Sequence, residues 1–207
     1  AGLIGSGRSE LCKAIFGASP IVSGELLMHG KLIKNQSPQM AVANRIAYLP
    51  EERKTFGLFH HLTLRENIIS ASLTNYVLNG LINSQKTIRT SEQFRKTLNI
   101  KSASVQDPIE TLSGGNQQKT ILARWLAIDP EVIIADEPTH GVDIGAKTEI
   151  YVLLKQMAAS GKSILLISSE LPELLLVCDR IAVMDKGEIK IILKKEEATE
   201  ERLMHYA

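Results

Sequence analysis

The sequence is poor in several things, and each shortage closes off a class of function. Aromatic residues make up 4% of the 207, and no basic stretch is interleaved with them. That leaves no stacking platform of the kind single-stranded nucleic-acid binders use. Charge is balanced as well, with 24 Lys and Arg against 23 Asp and Glu, a net +1. The balance favours neither nucleic acid nor a strongly acidic partner. Cysteine is scarce: Cys12 and Cys178 show no CxxC or ligand spacing, and they read as reduced, partly buried thiols of a cytosolic protein. The five histidines also lack ligand spacing, and His60-His61 reads as a solvated loop pair. No apolar run approaches the roughly 18 residues of a membrane-spanning helix, and no signal-peptide pattern is seen. Any membrane role is therefore expected to run through a partner. The length still suits one domain with a small satellite and a substantial core.

What is present is glycine beside hydroxyls, in two places. Leu112 to Lys119 reads LSGGNQQK. Gly114 and Gly115 let the backbone be approached closely, because neither carries a Cβ. Gln117, Ile121, Leu122, Trp125 and Leu126 then repeat at helical spacing until Asp129-Pro130. Free amides at a helix start, with Ser113 beside them, suit an anion; a plain glycine turn with Ser113 as N-cap is the other reading. Further on, Val132 to Ala135 has the continuous apolar character of a buried parallel strand. Asp136 and Glu137 follow at its end, where open α/β sheets bind ligands. One such carboxylate can hold Mg²⁺ while the other orients a water. A solvated strand end is the alternative.

The second place is the start. Gly2 to Ser9, GLIGSGRS, matches a glycine-rich phosphate loop with arginine at the lysine position. Gly2, Gly5, Ser6, Gly7 and Arg8 would wrap phosphate, and Ser9 would offer its hydroxyl to Mg²⁺. Arg8 is a wide planar fork where lysine is a compact point charge. A helix is expected next, with Leu11, Ala14 and Ile15 apolar and Gly17 as its stop. Leu26 to Ile33 reads as a hairpin at His29-Gly30, Ser37-Pro38 opens a short helix, and Ile46 to Leu49 is a strand. Residues from about 55 to 111 show no strand pattern and read as helical, with a capping box at Thr63 and Glu66. Ala146 to Ala159 is an amphipathic helix, Ser163 to Ile167 a buried strand, and Lys186-Gly187 the turn of a last hairpin.

In this order the motifs closely resemble the ATP-binding cassette ATPases. The resemblance covers nearly the whole chain: GLIGSGRS as the P-loop, LSGGNQQK as the signature, VIIADEP as the Walker B strand and PTHGVD as the D-loop. It implies an α/β P-loop NTPase with a mainly parallel sheet and a helical subdomain. Residues 1–54 and 112–207 would form the core, about 55–111 the helical subdomain, and 1–207 a single cassette. The chain opens directly at Ala1-Gly2, so N-terminal strands are expected to be missing and the chain to be truncated. By the same resemblance Glu51 stands at the Q-loop position, Ser169 at the switch-histidine position, and Gly141 and Asp143 in the D-loop. Glu137 would position water with Ser169 and Glu51 nearby, Ser9 and Asp136 would hold Mg²⁺, and Ser113, Gly114, Gly115 and Gln117 would act in trans. For Glu51 an exposed charged turn is the competing reading.

Together, the GRS, PEER, NQQK and SSELPEL variants resemble one subtype, the second cassette of tandem ATPases that drive simple-sugar importers. That implies ATP and Mg²⁺ as cofactors. It also implies a second cassette, a membrane permease and indirectly a sugar-binding protein as partners, at the cytoplasmic face of a membrane, with no nucleic acid. Arg8, Glu51 and Ser169 depart from the family pattern, so the chain's own pocket is expected to be degenerate. A non-hydrolysing structural cassette is the main rival. A DNA-repair cassette would need sustained heptads between P-loop and signature, and a translation cassette a basic linker; neither is present.

Overall fold

The computed structural model describes residues 1–3 and 5–207; Ile4, inside the expected phosphate loop, lies outside them. The chain divides into two compact units, residues 1–48, 132–138 and 162–207, and residues 49–131 and 139–161.

The first unit is built on three strands in the order β3 (Ile46–Leu49), β6 (Val132–Asp136) and β7 (Ser163–Ile167), with β6 and β7 parallel and in register from Val132↔Ser163 to Asp136↔Ile167. β3 is buried along its whole length and β6 nearly so, which is why both read as unbroken apolar runs instead of alternating ones. Helix α1 (Arg8–Ile15) packs on β6. The residues it buries are Cys12 and, just past its end, Phe16; the expected anchor Leu11 is 41% exposed. The helix expected at Ser37-Pro38 forms as α2 (Pro38–Ala43), and the predicted hairpins form. β1 (Leu26–Met28) pairs with β2 (Lys31–Ile33), and β8 (Arg180–Asp185) with β9 (Glu188–Lys194). Leu174, Ile181, Val183, Leu193 and Leu203 form a small core under β8 and β9, joining α7 (Leu171–Val177) and α8 (Glu200–His205).

The second unit is mainly helical. Thr63 caps α3 (Leu64–Ile69) in the predicted box, accepting from Glu66 N at 3.2 Å while Glu66 accepts from Thr63 N at 2.8 Å. α3 packs against α4 (Ser84–Thr97) and α5 (Gly114–Leu126). Arg124 of α5, buried at 7% exposure, ties α5 to α3. It donates to the carbonyls of Asn67 and Gly57 at 2.9 and 2.7 Å and to Asn67 Oδ1 at 2.8 Å, with its guanidinium over the Phe59 ring. Burial pulls its pKa down to about 10, which leaves it charged near neutral pH.

One expectation is corrected here. Residues 55–111 are not purely helical, since Val77–Leu78 and Leu81–Ile82 pair as a short hairpin, β4 and β5. Asn79 and Gly80 both have positive φ, 51° and 81°, as a tight two-residue hairpin turn requires.

Candidate active site

In the first unit, the glycine-rich loop runs from Gly2 into α1. Gly5 and Gly7 have φ of 82° and 94°, and Gly7 is the left-handed N-cap of α1. That conformation costs an L-residue energy and glycine almost none. The loop is pinned from beneath: Met184 N donates to Ala1 O at 3.0 Å and Gly187 N to Ser6 O at 2.9 Å. A Cβ on Gly2 would come within 2.3 Å of Met184 O, whereas one on Gly5 would meet nothing within 4 Å. The loop is thus closed towards β8 and open at Gly5.

Ser9, in the first turn of α1, donates to Asp136 Oδ1 at 3.1 Å. Asp136 is only 1% exposed, and Tyr48 Oη donates to its other oxygen at 2.9 Å. Glu137 follows with φ 45°, its N–H held by Ile167 O at 3.0 Å. A left-handed glutamate is uncommon, and such conformations gather at functional sites. Ser169, just past β7, donates to Glu137 Oε2 at 3.4 Å. Arg8 turns to the main chain, donating to Ser168 O at 3.1 Å and Leu3 O at 3.4 Å. Seven of the predicted residues with resolved side-chain roles or loop geometry here therefore share one place: Gly5, Ser6, Gly7, Arg8, Ser9, Asp136 and Glu137, with Ser169 beside them.

The residues present suit a phosphate and a small cation. Ser6 is 5% exposed, and its hydroxyl finds no partner among the described residues; a buried hydroxyl of this kind is costly without one. One hydroxyl and one carboxylate at 3.1 Å supply hard oxygen donors. Mg²⁺ is usually held by one or two carboxylates together with substrate phosphates. Among the described residues no group of three or more His, Cys, Asp or Glu is arranged to hold a metal by itself.

The second unit holds the other predicted residues. Ser113 stands at the N-cap of α5, but its hydroxyl makes no bond to the helix amides; it accepts from Asn116 Nδ2 at 2.8 Å. A Cβ on Gly115 would come within 2.5 Å of Ala146 Cβ, so α5 and α6 (Ile144–Ala159) approach closely only because residue 115 is glycine. A Cβ on Gly114 would stand 3.1 Å from Arg53 Nη2 and 3.2 Å from Gly141 O. Gly114, Gly141 and Arg53 thus meet at one point. Asp143 caps α6, accepting from Ala146 N at 3.0 Å. Gln117 stands in the first turns of α5. It is 7% exposed, and its Nε2 donates inward to Leu112 O and Ile109 O at 3.1 and 3.3 Å, bracing the loop before the signature. Glu51 is exposed, and its carbonyl accepts from Arg53 N at 2.9 Å. Lys119, 3% exposed, pairs with Glu149 of α6 and donates to Asn99 O at 3.0 Å.

Sequence reasoning missed Tyr48 and Arg53. A tyrosine inside a buried strand reads as core, and nothing local says where its hydroxyl ends. Arg53 reads as part of an exposed charged turn, yet its Nε and Nη1 are buried without a partner among the described residues.

A fold of this kind with this site is found in known proteins. The family model described as "ABC transporter" matches residues 1–140. The chain belongs to that family of ATPases. Over its full length it is 45% identical to a putative ribose/galactose/methyl galactoside import ATP-binding protein of Halalkalibacterium halodurans, covering 40% of that relative. It is 41% identical to the ribose import ATP-binding protein RbsA of Bacillus cereus, covering 42% of it. The chain thus spans about two fifths of the length of these curated relatives. Among solved structures, an ATP-binding cassette of an ABC transporter superposes with a TM-score of 0.82 at 22% identity, covering 99% of this chain and 85% of that one. A cassette solved as a dimer in a post-hydrolysis state bound to ADP and Pi gives 0.77 at 24% identity, covering 94% and 83%. These last two likenesses speak for the fold alone.

Proposed function

We propose that this chain is the ATP-hydrolysing cassette of a monosaccharide importer, working chiefly through its signature on ATP held by a second cassette. The observation that carries the ATPase reading is the 3.1 Å contact of Ser9 with Asp136, with Glu137 next in sequence. Similarity to ribose and galactose import proteins over the whole chain supports the sugar reading.

In this reading residues 1–54 and 112–207 form the core and about 55–111 the helical subdomain that faces a membrane permease. The second cassette is the N-terminal half of the same polypeptide, and a sugar-binding protein delivers the cargo. The chain is peripheral to the membrane, at its cytoplasmic face; among the described residues no helix is long and apolar enough to cross one.

Gly5, Ser6, Gly7 and Arg8 receive phosphate oxygens. Ser9 and Asp136 would hold Mg²⁺, which would neutralise charge on the phosphates. Glu137 accepts a proton from, or orients, the attacking water. Ser169 supports Glu137 by a hydroxyl where an imidazole would reach phosphate. In the second unit, the amides of Gly114 and Gly115 would close over the partner's ATP with Ser113, and Gly141 and Asp143 would carry the D-loop to the second cassette.

A second reading, a non-hydrolysing regulatory cassette, is favoured by one observation: Arg8 spends its donors on the carbonyls of Ser168 and Leu3. Phosphate release from the intact subunit, with the other cassette's catalytic glutamate substituted, separates the two. Residual turnover that Glu137→Gln then removes supports hydrolysis here; no residual turnover supports the regulatory reading. Loss of sugar uptake on deleting the subunit, restored by the wild-type gene, tests the transport assignment.

A further inference from the structure

We infer that Tyr48 is a positioning residue for the metal-binding carboxylate of this pocket. Its hydroxyl donates to Asp136 Oδ2 at 2.9 Å, while Ser9 donates to Oδ1 at 3.1 Å. Each carboxylate oxygen therefore has one hydroxyl, brought from two separate elements, the end of β3 and the start of α1. Tyr48 and Asp136 are 7% and 1% exposed, so water does not compete freely for either group. Rotation of the carboxylate would break one bond or both, and an unmade bond is costly in a buried site. The Tyr48 ring is itself held against Phe16, with centroids 5.4 Å apart.

The consequence is directional. Mg²⁺ demands near-octahedral geometry and tolerates little ligand drift. A carboxylate whose Oδ2 is occupied by Tyr48 is steered to offer Oδ1, the oxygen beside Ser9, as a single donor. In this inference Tyr48 acts through Asp136, to which its hydroxyl donates. Groups of this outer kind typically change metal affinity by about 10–100-fold when removed. The inference rests on the proposed role of Asp136 and Ser9 in holding Mg²⁺.

Tyr48→Phe removes the hydroxyl and keeps the ring against Phe16. The assay is binding of a fluorescent ATP analogue to the intact subunit, titrated with Mg²⁺ and repeated in EDTA, with any second cassette's P-loop disabled. Tyr48→Phe is expected to raise the Mg²⁺ concentration for half-maximal enhancement about tenfold and to leave affinity in EDTA within about twofold. Ser9→Ala is run beside it. If Ser9→Ala shifts the Mg²⁺ curve and Tyr48→Phe does not, the positioning role is overturned while the metal reading stands. If neither shifts it, both are overturned. Equal losses with and without Mg²⁺, or loss of a cooperative melt in Tyr48→Phe, would make the tyrosine structural and also overturn the inference. In an Asp136→Asn background, Tyr48→Phe should change the Mg²⁺ dependence no further.

Discussion

Arg53 Nη2 lies 3.1 Å from the point where a Cβ on Gly114 would stand, with Gly141 O 3.2 Å away on the D-loop side. A methyl there forces the neighbours to yield by tenths of an ångström. An aspartate adds a carboxylate that would pair with Arg53 and set negative charge where phosphate is to be received. Gly114→Asp is therefore expected to silence ATPase and uptake in the full-length transporter, by at least the roughly 10²–10³-fold that one lost oxyanion donor costs. Gly114→Ala should fall between, and Arg8→Ala should keep a measurable fraction of each. Steady-state phosphate release from reconstituted transporter checks this order. If Arg8→Ala is the most damaging, the domain works mainly through its own pocket.

The chain's own pocket should respond weakly to repair of one position. Arg8→Lys frees the carbonyls of Ser168 and Leu3, but Ser169 still offers only a hydroxyl, 3.4 Å from Glu137. Turnover is expected to change by less than about tenfold, equivalent to under about 1.4 kcal/mol of barrier. Glu137→Gln should cost less than the matching change in the second cassette. Rates for the two glutamine variants, measured side by side, decide it.

Cys12 should be inert in the folded protein. Burial, with a smaller contribution from the Asp136 charge, pushes its pKa up to about 12. At pH 8 only about one thiol in ten thousand would be thiolate, and the thiolate is the nucleophile. Iodoacetamide should label Cys12 only after unfolding, as read by peptide mass analysis. Rapid native labelling would show the helix α1 face to be open.

The cap of α3 should carry a pH signature. Glu66 is held below the ordinary glutamate value near 4.5, first by the Thr63 backbone N–H and then by its hydroxyl. A depressed folded pKa means that the stabilisation is full above the ordinary value and lost as pH falls through the folded one. Thr63→Ala should cost about 1 kcal/mol at neutral pH, and the gap from wild type should narrow in acid below about pH 4.5. Thermal melts of the intact subunit across that range measure it. A gap independent of pH would assign the loss to packing.

Much of the site could be read locally because its parts are local. Val132 to Asp136 is a buried parallel strand, and strands of that kind have no polar face to hide their pattern. Glycines at Gly5, Gly7, Gly114 and Gly115 mark backbone that must turn or be approached, which single residues declare by lacking a Cβ. The Asn79-Gly80 hairpin was missed, because the helical context of its neighbours hid a turn signal two residues long.

The amino-acid sequence by itself determined most of the strands, helices and turns around GLIGSGRS, VIIADEP, LSGGNQQK and PTHGVD, because their propensities and glycine positions act over a few residues. Only the tertiary structure decided how side chains far apart in the chain share hydrogen bonds. It gave Tyr48 to Asp136, Arg53 to the neighbourhood of Gly114, and Arg124 to Asn67 and Gly57. It also turned Gln117 inward to the carbonyls of Ile109 and Leu112. The reason is physical: a buried polar group must find a partner or bear the cost of lost solvation. Which partner it finds depends on packing that no local pattern encodes.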